Sequence, residues 1–141
     1  MTWVVWALLS AFFAGLTAIL AKVGVENINS NLATAIRTSV ILVITWGIAF
    51  LTVPSGHFVM PSRRTLLFLG LSGLATGASW LCYFRALQIG EASRVAPVDK
   101  LSVVFVIVLA ALFLRERVSW QQAAGGALIV AGSLVLAWRP S

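Results

Sequence analysis

The chain has 141 residues, of which 60% are hydrophobic and 10% charged, and its mean hydropathy is +1.00. Globular chains carry about 45–50% apolar and about 25% charged residues, so this composition excludes a soluble enzyme, a secreted disulfide-rich domain and a disordered tail. The net charge of +6 does not indicate nucleic-acid binding, because the cations are scattered between apolar runs rather than clustered on a polar face. The composition predicts an all-α integral membrane protein that binds no nucleic acid.

Five apolar runs are each long enough to cross a bilayer, whose hydrocarbon core takes about 20 residues of helix. Polar and turn-forming residues separate them at 27–31, 54–64, 90–94 and 115–117. The first run lacks a basic start and exceeds the roughly 7–15 residues of a signal-peptide core, so it is predicted to be a permanent span. We predict one transmembrane domain over residues 1–141, with spans at 3–23, 32–53, 65–87, 95–114 and 120–138.

Five spans place the two ends of the chain on opposite sides of the membrane. The cations on the amino-terminal side are Arg63, Arg64, Arg115 and Arg117, and those on the other side are Lys22, Arg94 and Arg139, with Arg85 near enough to reach that surface. Orientation follows from an imbalance in such counts, and here the imbalance is small. This small imbalance in cations favours a cytoplasmic amino terminus, and insertion in both orientations is the alternative. A normal bias would return if Lys22 and Arg85 faced protein.

Charged side chains within or near the spans are the most informative residues, because a mid-span ion costs about 2.5–3.5 kcal/mol and normally faces protein or a water-filled path. They are Lys22, Arg37, Arg85, Asp99 and Lys100. We expect Asp99 to meet Arg37 or Lys22 from another helix rather than Lys100, since adjacent helix positions point about 100° apart. Asp99 is then either half of a static ion pair or a group that binds substrate or a proton.

A proline and an aromatic face complete the candidate site. Pro97 has no N–H to donate, so it is predicted either in the first turn of span four or at a helix kink. A carbonyl freed by a kink needs a neighbour or cavity water, which favours a polar space along span four. Trp80, Tyr83 and Phe84 share one face of span three, which is either ordinary core or a wall that contacts an organic or cationic ligand.

No cofactor, metal site or catalytic set is predicted. Cys82 and His57 are the only cysteine and histidine, so neither a disulfide nor a metal cluster is expected. The sequence has no phosphate-binding GxxxxGK[ST] loop and no nucleophile–base pair. We therefore predict that the protein is not an enzyme.

Small residues at helical spacing predict close helix contacts, either within the chain or with a second copy, because helices in lipid associate through such residues. The positions are Gly70, Gly73 and Gly77 in span three, Ala11 and Gly15 in span one, and Gly125, Gly126 and Gly132 in span five.

A family resemblance is carried by Tyr83–Leu87, Ala92–Val98, Leu112–Arg117 and Gly125–Gly132, preceded by Lys22 at the close of span one and Ala35–Arg37 in span two. Together these segments resemble the EamA domain of the drug/metabolite transporter superfamily. The resemblance covers nearly the whole chain, which is similar to the half-size bacterial and archaeal members with one five-span unit. It implies a secondary transporter in the inner (plasma) membrane that exports a small metabolite or drug-like solute. The resemblance also implies that a half-size member of this kind works as a homodimer by alternating access, with its two copies in a parallel or an antiparallel arrangement.

The residues predicted to bind substrate or ion are Arg37, Trp80, Tyr83, Arg85, Asp99 and Lys100, with Lys22 behind them and Pro97 as the helix kink. The excess of cations among them favours an anionic or zwitterionic small molecule, and the remaining partner is membrane lipid. The alternatives are a channel, a lipid-moving protein or a structural membrane subunit.

Overall fold

The computed structural model describes residues 2–54 and 60–138, and this part of the chain is helical without strands. The helices are α1 (Trp3–Gly24), α2 (Ser30–Thr52), α3 (Arg63–Ile89), α4 (Ala92–Asp99), α5 (Ser102–Phe113) and α6 (Trp120–Ala137). Since α4 and α5 form one apolar stretch, Ala92–Phe113, five segments are long and apolar enough to cross a membrane. The all-α, five-span prediction is confirmed. His57 and Arg139, used in the sequence arguments, lie outside the described residues.

Local side-chain chemistry sets the starts of two helices. The Asn29 side chain accepts a hydrogen bond from Asn31 N at 2.8 Å and caps α2. At α6, Ser119 Oγ accepts from Gln122 N at 3.2 Å, while Gln122 Oε1 accepts from Ser119 N at 2.8 Å. This reciprocal capping box satisfies N–H groups that a helix start leaves without a partner. The caps stabilise the starts of α2 and α6, which lie within two residues of the predicted starts.

The chain divides into two compact units. The first contains α1 up to Lys22 together with α4, α5 and α6, and the second runs from Val23 to Gln88. Within the first unit, α6 packs against α4 and α5. The second unit contains α2 and α3, and its buried side chains include Thr34 and Phe84. The prediction of a single domain stays a prediction.

Apolar side chains are exposed along the long helices, and the buried core is small. Leu51 in α2 is 87% exposed and Phe113 at the end of α5 is 79% exposed. Soluble proteins rarely expose large contiguous apolar surfaces, whereas helices in lipid need an apolar exterior. The exposed surface therefore fits contact with acyl chains or with another membrane protein.

Most of the predicted glycine positions have open space beside them in the described chain. A Cβ built at Gly15, Gly70, Gly73, Gly77, Gly125 or Gly132 meets no atom within 4 Å. At Gly126 it meets Ile107 Cδ1 at 3.6 Å, where α6 packs on α5. Of the predicted glycine positions, Gly126 thus makes an internal contact, and contact of the others with a second copy stays a prediction.

Candidate functional site

Arg37 lies two turns into α2, over the aromatic face of α3. Its Cζ atom is 4.4 Å from the ring centroid of Trp80 and 5.4 Å from that of Phe84. Trp80 and Phe84 are one helical turn apart, so α3 presents both rings on the same side. Arg37 and Trp80 are half-buried, while Phe84 is only 3% exposed. A cation on aromatic rings gains about 0.5–2 kcal/mol, which offsets part of the cost of placing the charge in a span.

Tyr83 belongs to the same cluster, since it interacts electrostatically with Arg37. The structure thus brings together three residues of the predicted site, Arg37, Trp80 and Tyr83. It also adds Phe84, which the sequence analysis placed on the shared face but did not include among the binding residues. The signal for Phe84 was its i,i+4 spacing from Trp80.

The polar neighbours of Arg37 along α2 are already engaged with their own helix. Thr34 Oγ1 donates to the Ser30 carbonyl at 2.9 Å, and Thr38 Oγ1 donates to the Thr34 carbonyl at 2.7 Å. Such back-bonding is common for hydroxyl residues inside helices. Unlike the hydroxyls of Thr34 and Thr38, the Arg37 guanidinium therefore still has N–H groups that can donate to a ligand.

Arg85 lies outside the aromatic cluster and contacts a residue that the sequence analysis missed. Its Nη1 donates to Gln88 Oε1 at 2.6 Å, and Gln88 Nε2 donates to the Ile28 carbonyl at 2.9 Å. These bonds join the end of α3 to the α1–α2 connection within the second unit. The i,i+3 spacing of Arg85 and Gln88 could have indicated their contact, but the backbone partner lies 60 residues away along the chain.

Lys22 also has a backbone partner. Its Nζ donates to the Gly90 carbonyl at 3.0 Å, within the first unit. Gly90 directly follows α3, and a cation beside carbonyls at a helix end is favourable. In this contact Lys22 joins the end of α1 to the α3–α4 connection.

The fourth span is interrupted at Lys100 and Leu101, between α4 and α5. Pro97 lies inside α4 rather than in its first turn, and its missing N–H leaves the Ser93 carbonyl without its usual helix donor. Beyond Pro97 the backbone tightens, with Leu101 N bonded to the Val98 carbonyl at 3.0 Å and Val103 N to the Lys100 carbonyl at 3.0 Å. These i→i+3 bonds are typical of a 3₁₀ turn.

Asp99 and Lys100 form an ion pair at this interruption. Lys100 Nζ lies 3.8 Å from Asp99 Oδ2, so the expectation that the two side chains would point apart was wrong. That expectation assumed a continuous helix, whereas α4 ends at Asp99. The irregular backbone allows neighbouring side chains to approach on one side.

Ser133 of α6 completes the cluster around the interruption. Its hydroxyl donates to the Pro97 carbonyl at 2.9 Å, and the residue is only 5% exposed. An open groove of about 450 Å³ runs beside this bond and is lined by Ala96, Pro97, Lys100, Ile129, Gly132, Ser133 and Leu136. Sequence reasoning missed Ser133, because a lone serine in a span is normally bonded to its own helix.

The two clusters offer ionic and hydrogen-bonding groups but no recognisable catalytic set. Among residues 2–54 and 60–138, no group of three or more His, Cys, Asp or Glu side chains is placed to hold a metal ion. Arg37 with its rings can hold an anion, and the Asp99–Lys100 pair can exchange one ionic partner for another. Groups of this kind are able to bind solutes or ions.

Five apolar helices of membrane length define a multi-pass membrane protein, and comparison with known proteins identifies its family. The chain belongs to the EamA-like transporter family, whose profile matches residues 1–138. It is 56% identical over 139 residues to the "Uncharacterized transporter in cobO 3'region" of a Sinorhizobium species, with 96% of both chains covered. The family resemblance found in the sequence is confirmed.

A second relative is larger. The chain is 40% identical over 81 residues to the "Probable terminal-alkyne amino-acid exporter" of Streptantibioticus cattleyicolor, an alignment that covers 55% of this chain and 26% of that protein. No solved structure matches the chain.

Proposed function

We propose that this protein is a secondary transporter that exports a small metabolite or drug-like solute across the inner membrane by alternating access. The interrupted fourth span carries the proposal. Secondary transporters typically form their substrate and ion sites from discontinuous helices, and irregular backbone at membrane depth is tolerated where protein buries it or a cavity adjoins it. Here the interruption bears the Asp99–Lys100 pair and adjoins the groove beside Ser133.

The proposed binding residues divide between the two clusters. Arg37, Trp80 and Tyr83 form the aromatic one, and Asp99 and Lys100 form the ionic one, with Pro97 producing the interruption. Lys22 and Arg85 support these clusters through their bonds to Gly90 and Gln88.

The homodimer is part of this proposal. Alternating access requires one bundle to move against another around a shared site, and five spans supply a thin enclosure. Gly70, Gly73 and Gly77 form an open small-residue face on α3, which suits close contact with a helix of a second copy. An antiparallel pair would build inward-open and outward-open states from identical parts.

The class of solute is suggested by charge and by similarity. The chain has 10 Lys and Arg against 4 Asp and Glu, which favours an anionic or zwitterionic solute. The Streptantibioticus relative is named as an exporter of an amino acid, which agrees with a zwitterion and with outward transport. We therefore propose an amino-acid-like solute as the first to test.

The test is counterflow exchange in proteoliposomes loaded with unlabelled L-propargylglycine, a terminal-alkyne amino acid, or with another amino acid. A carrier accelerates the entry of labelled solute when the same solute is inside, and this acceleration is the expected result. A channel would give flux without acceleration, and a structural subunit would give no flux above empty liposomes. Either outcome across an amino-acid and organic-ion panel contradicts the proposal.

A further inference from the structure

We propose that Arg37, held on the rings of Trp80 and Phe84, is the receptor for a carboxylate group of the transported solute. The inference rests on the proposed transport function and narrows its solute to small organic acids and amino acids with an unhindered carboxylate. The starting observation is that the Arg37 guanidinium lies over two aromatic rings and has no oxygen acceptor among the described residues of the second unit.

Four other cations in or beside the spans have an oxygen acceptor. Lys22 donates to the Gly90 carbonyl, Arg85 to the Gln88 side chain, and Arg94 and Lys100 pair with carboxylates at 2.9 and 3.8 Å. Among the described residues of the second unit, Arg37 has ring contacts and the electrostatic interaction with Tyr83, but no hydrogen bond or salt bridge. Arg37 therefore differs from these four in lacking an oxygen partner.

The missing acceptor is not supplied by the neighbouring sequence. Between Val23 and Gln88 the only carboxylate is that of Glu26, in the α1–α2 connection and without a salt bridge to Arg37. The hydroxyls of Thr34 and Thr38 donate to their own helix. A guanidinium carries five N–H donors, and leaving such donors without partners away from water is costly. A ligand oxygen is the natural partner.

The geometry of the cluster favours a carboxylate over other anions. A guanidinium offers two parallel N–H groups that match the two oxygens of a carboxylate. A phosphate dianion normally needs further cations, yet Arg85 is engaged with Gln88, while Arg63 and Arg64 lie at the opposite end of α3. One unpaired guanidinium therefore suits a single negative charge.

The rings also prepare Arg37 for binding. Trp80 is half-buried and Phe84 is almost completely buried, so both provide a stable support for the flexible side chain. Holding a binding group in its bound geometry lowers the entropy lost on association. A lysine at position 37 would keep the positive charge but lose the planar fork of the guanidinium.

The experiment measures binding of matched acid and amide probes to the purified full chain in detergent by isothermal titration calorimetry. The pairs are L-phenylalanine with L-phenylalaninamide, L-norvaline with L-norvalinamide, and hexanoate with hexanamide. We expect at least one acid to bind at least tenfold more tightly than its amide, and Arg37→Lys to abolish this preference. Equal binding of acid and amide, an unchanged preference in Arg37→Lys, or no binding of any acid would overturn the inference.

Arg64→Lys is the matched control. Arg64 also lies over an aromatic ring, 5.9 Å from the Phe68 centroid, but it is exposed at the start of α3 and outside the proposed site. Its substitution should leave the acid preference unchanged. Because a misfolded Arg37→Lys protein would also lose binding, Trp80→Phe provides a second test. This variant keeps an aromatic face with a weaker cation–π contact, so the acid preference should persist with affinity a few-fold lower.

Transport measured on the same preparations separates this inference from the proposed function. Counterflow of other solutes with no preference for acids would support the proposed transport function and contradict the role of Arg37 as a carboxylate receptor. Acid binding that depends on Arg37, with no exchange of any solute, would support the role of Arg37 as a carboxylate receptor and contradict the proposed transport function.

Discussion

Asp99 and Lys100 show at the scale of single residues how backbone geometry decides what neighbouring charges do. In a continuous helix they would diverge, but α4 ends at Asp99, and the two side chains pair at 3.8 Å. This distance is longer than that of a good charge-assisted hydrogen bond, about 2.7–2.9 Å. A pair of this length can open when Lys100 binds an anion.

Asp99→Asn tests whether Asp99 exchanges a coupling proton. Asp99 pairs with Lys100, Arg94 is the other charged residue of α4, and α6 contains no ionisable residue. We expect wild-type transport in proteoliposomes to change with pH and the Asn variant to lose most of that dependence, because an amide does not titrate in this range. The measurement is the initial rate of uptake along an imposed pH gradient.

Glu91→Gln is the control for this substitution. Glu91 is an exposed carboxylate that pairs with Arg94 at 2.9 Å at the start of α4. Its variant should keep the pH dependence of the wild type. Retained pH dependence in Asp99→Asn would assign the proton to another group.

At the scale of helices, the contact of α6 with the interrupted fourth span determines how its broken backbone is satisfied. Pro97 has no N–H for the helix ladder, and its own carbonyl accepts both Lys100 N at 3.1 Å and the Ser133 hydroxyl at 2.9 Å. A side chain from a neighbouring helix is one of the ways in which a proline-containing span recovers its hydrogen bonds. The Ser133 bond therefore joins α6 to α4 close to the proposed moving element.

Ser133→Ala should destabilise the protein by about 1 kcal/mol, because the variant loses one buried hydrogen bond while the Pro97 carbonyl keeps its backbone donor. The expected result is an apparent Tm a few degrees lower in detergent. Ser39→Ala is the control, since Ser39 is exposed and bonds to the Ala35 carbonyl of its own helix at 3.1 Å. Equal Tm values for the two variants would show that the Ser133 bond contributes no net stability.

At the scale of the whole molecule, the chain exposes both apolar side chains and its small-residue face. The family and the five spans are established, whereas the dimer and its orientation remain proposals. The contact of Lys22 with Gly90 bears on orientation, because it provides the protein partner that would restore a normal charge bias. The structure thus gives Lys22 a role other than reaching the membrane surface.

Gly73→Leu tests the proposed dimer face. A side chain at this position meets no atom within 4 Å in the chain itself, so the monomer should fold normally. The bulky side chain would prevent close approach of a second copy through α3, and we expect the dimer fraction to fall strongly. The measurement is the molar mass by size-exclusion chromatography with light scattering in mild detergent.

Gly47→Leu is the matched control, because Gly47 in α2 also has open space around it but lies outside the α3 face. It should leave the dimer fraction unchanged. A dimer that persists in Gly73→Leu, or an absence of dimers in the wild type, would contradict assembly through this face.

The amino-acid sequence by itself determined the membrane class, the five spans and the family, because span length and apolar composition are local properties of each segment. It also placed Trp80, Tyr83 and Phe84 on one face through helical periodicity. Tertiary structure alone decided that Arg37 lies on these rings and that Ser133 binds the Pro97 carbonyl. In lipid, outward-facing and inward-facing residues are both apolar, so hydrophobicity carries little information about which helix faces meet. Those contacts depend on how each helix is rotated and packed against its neighbours.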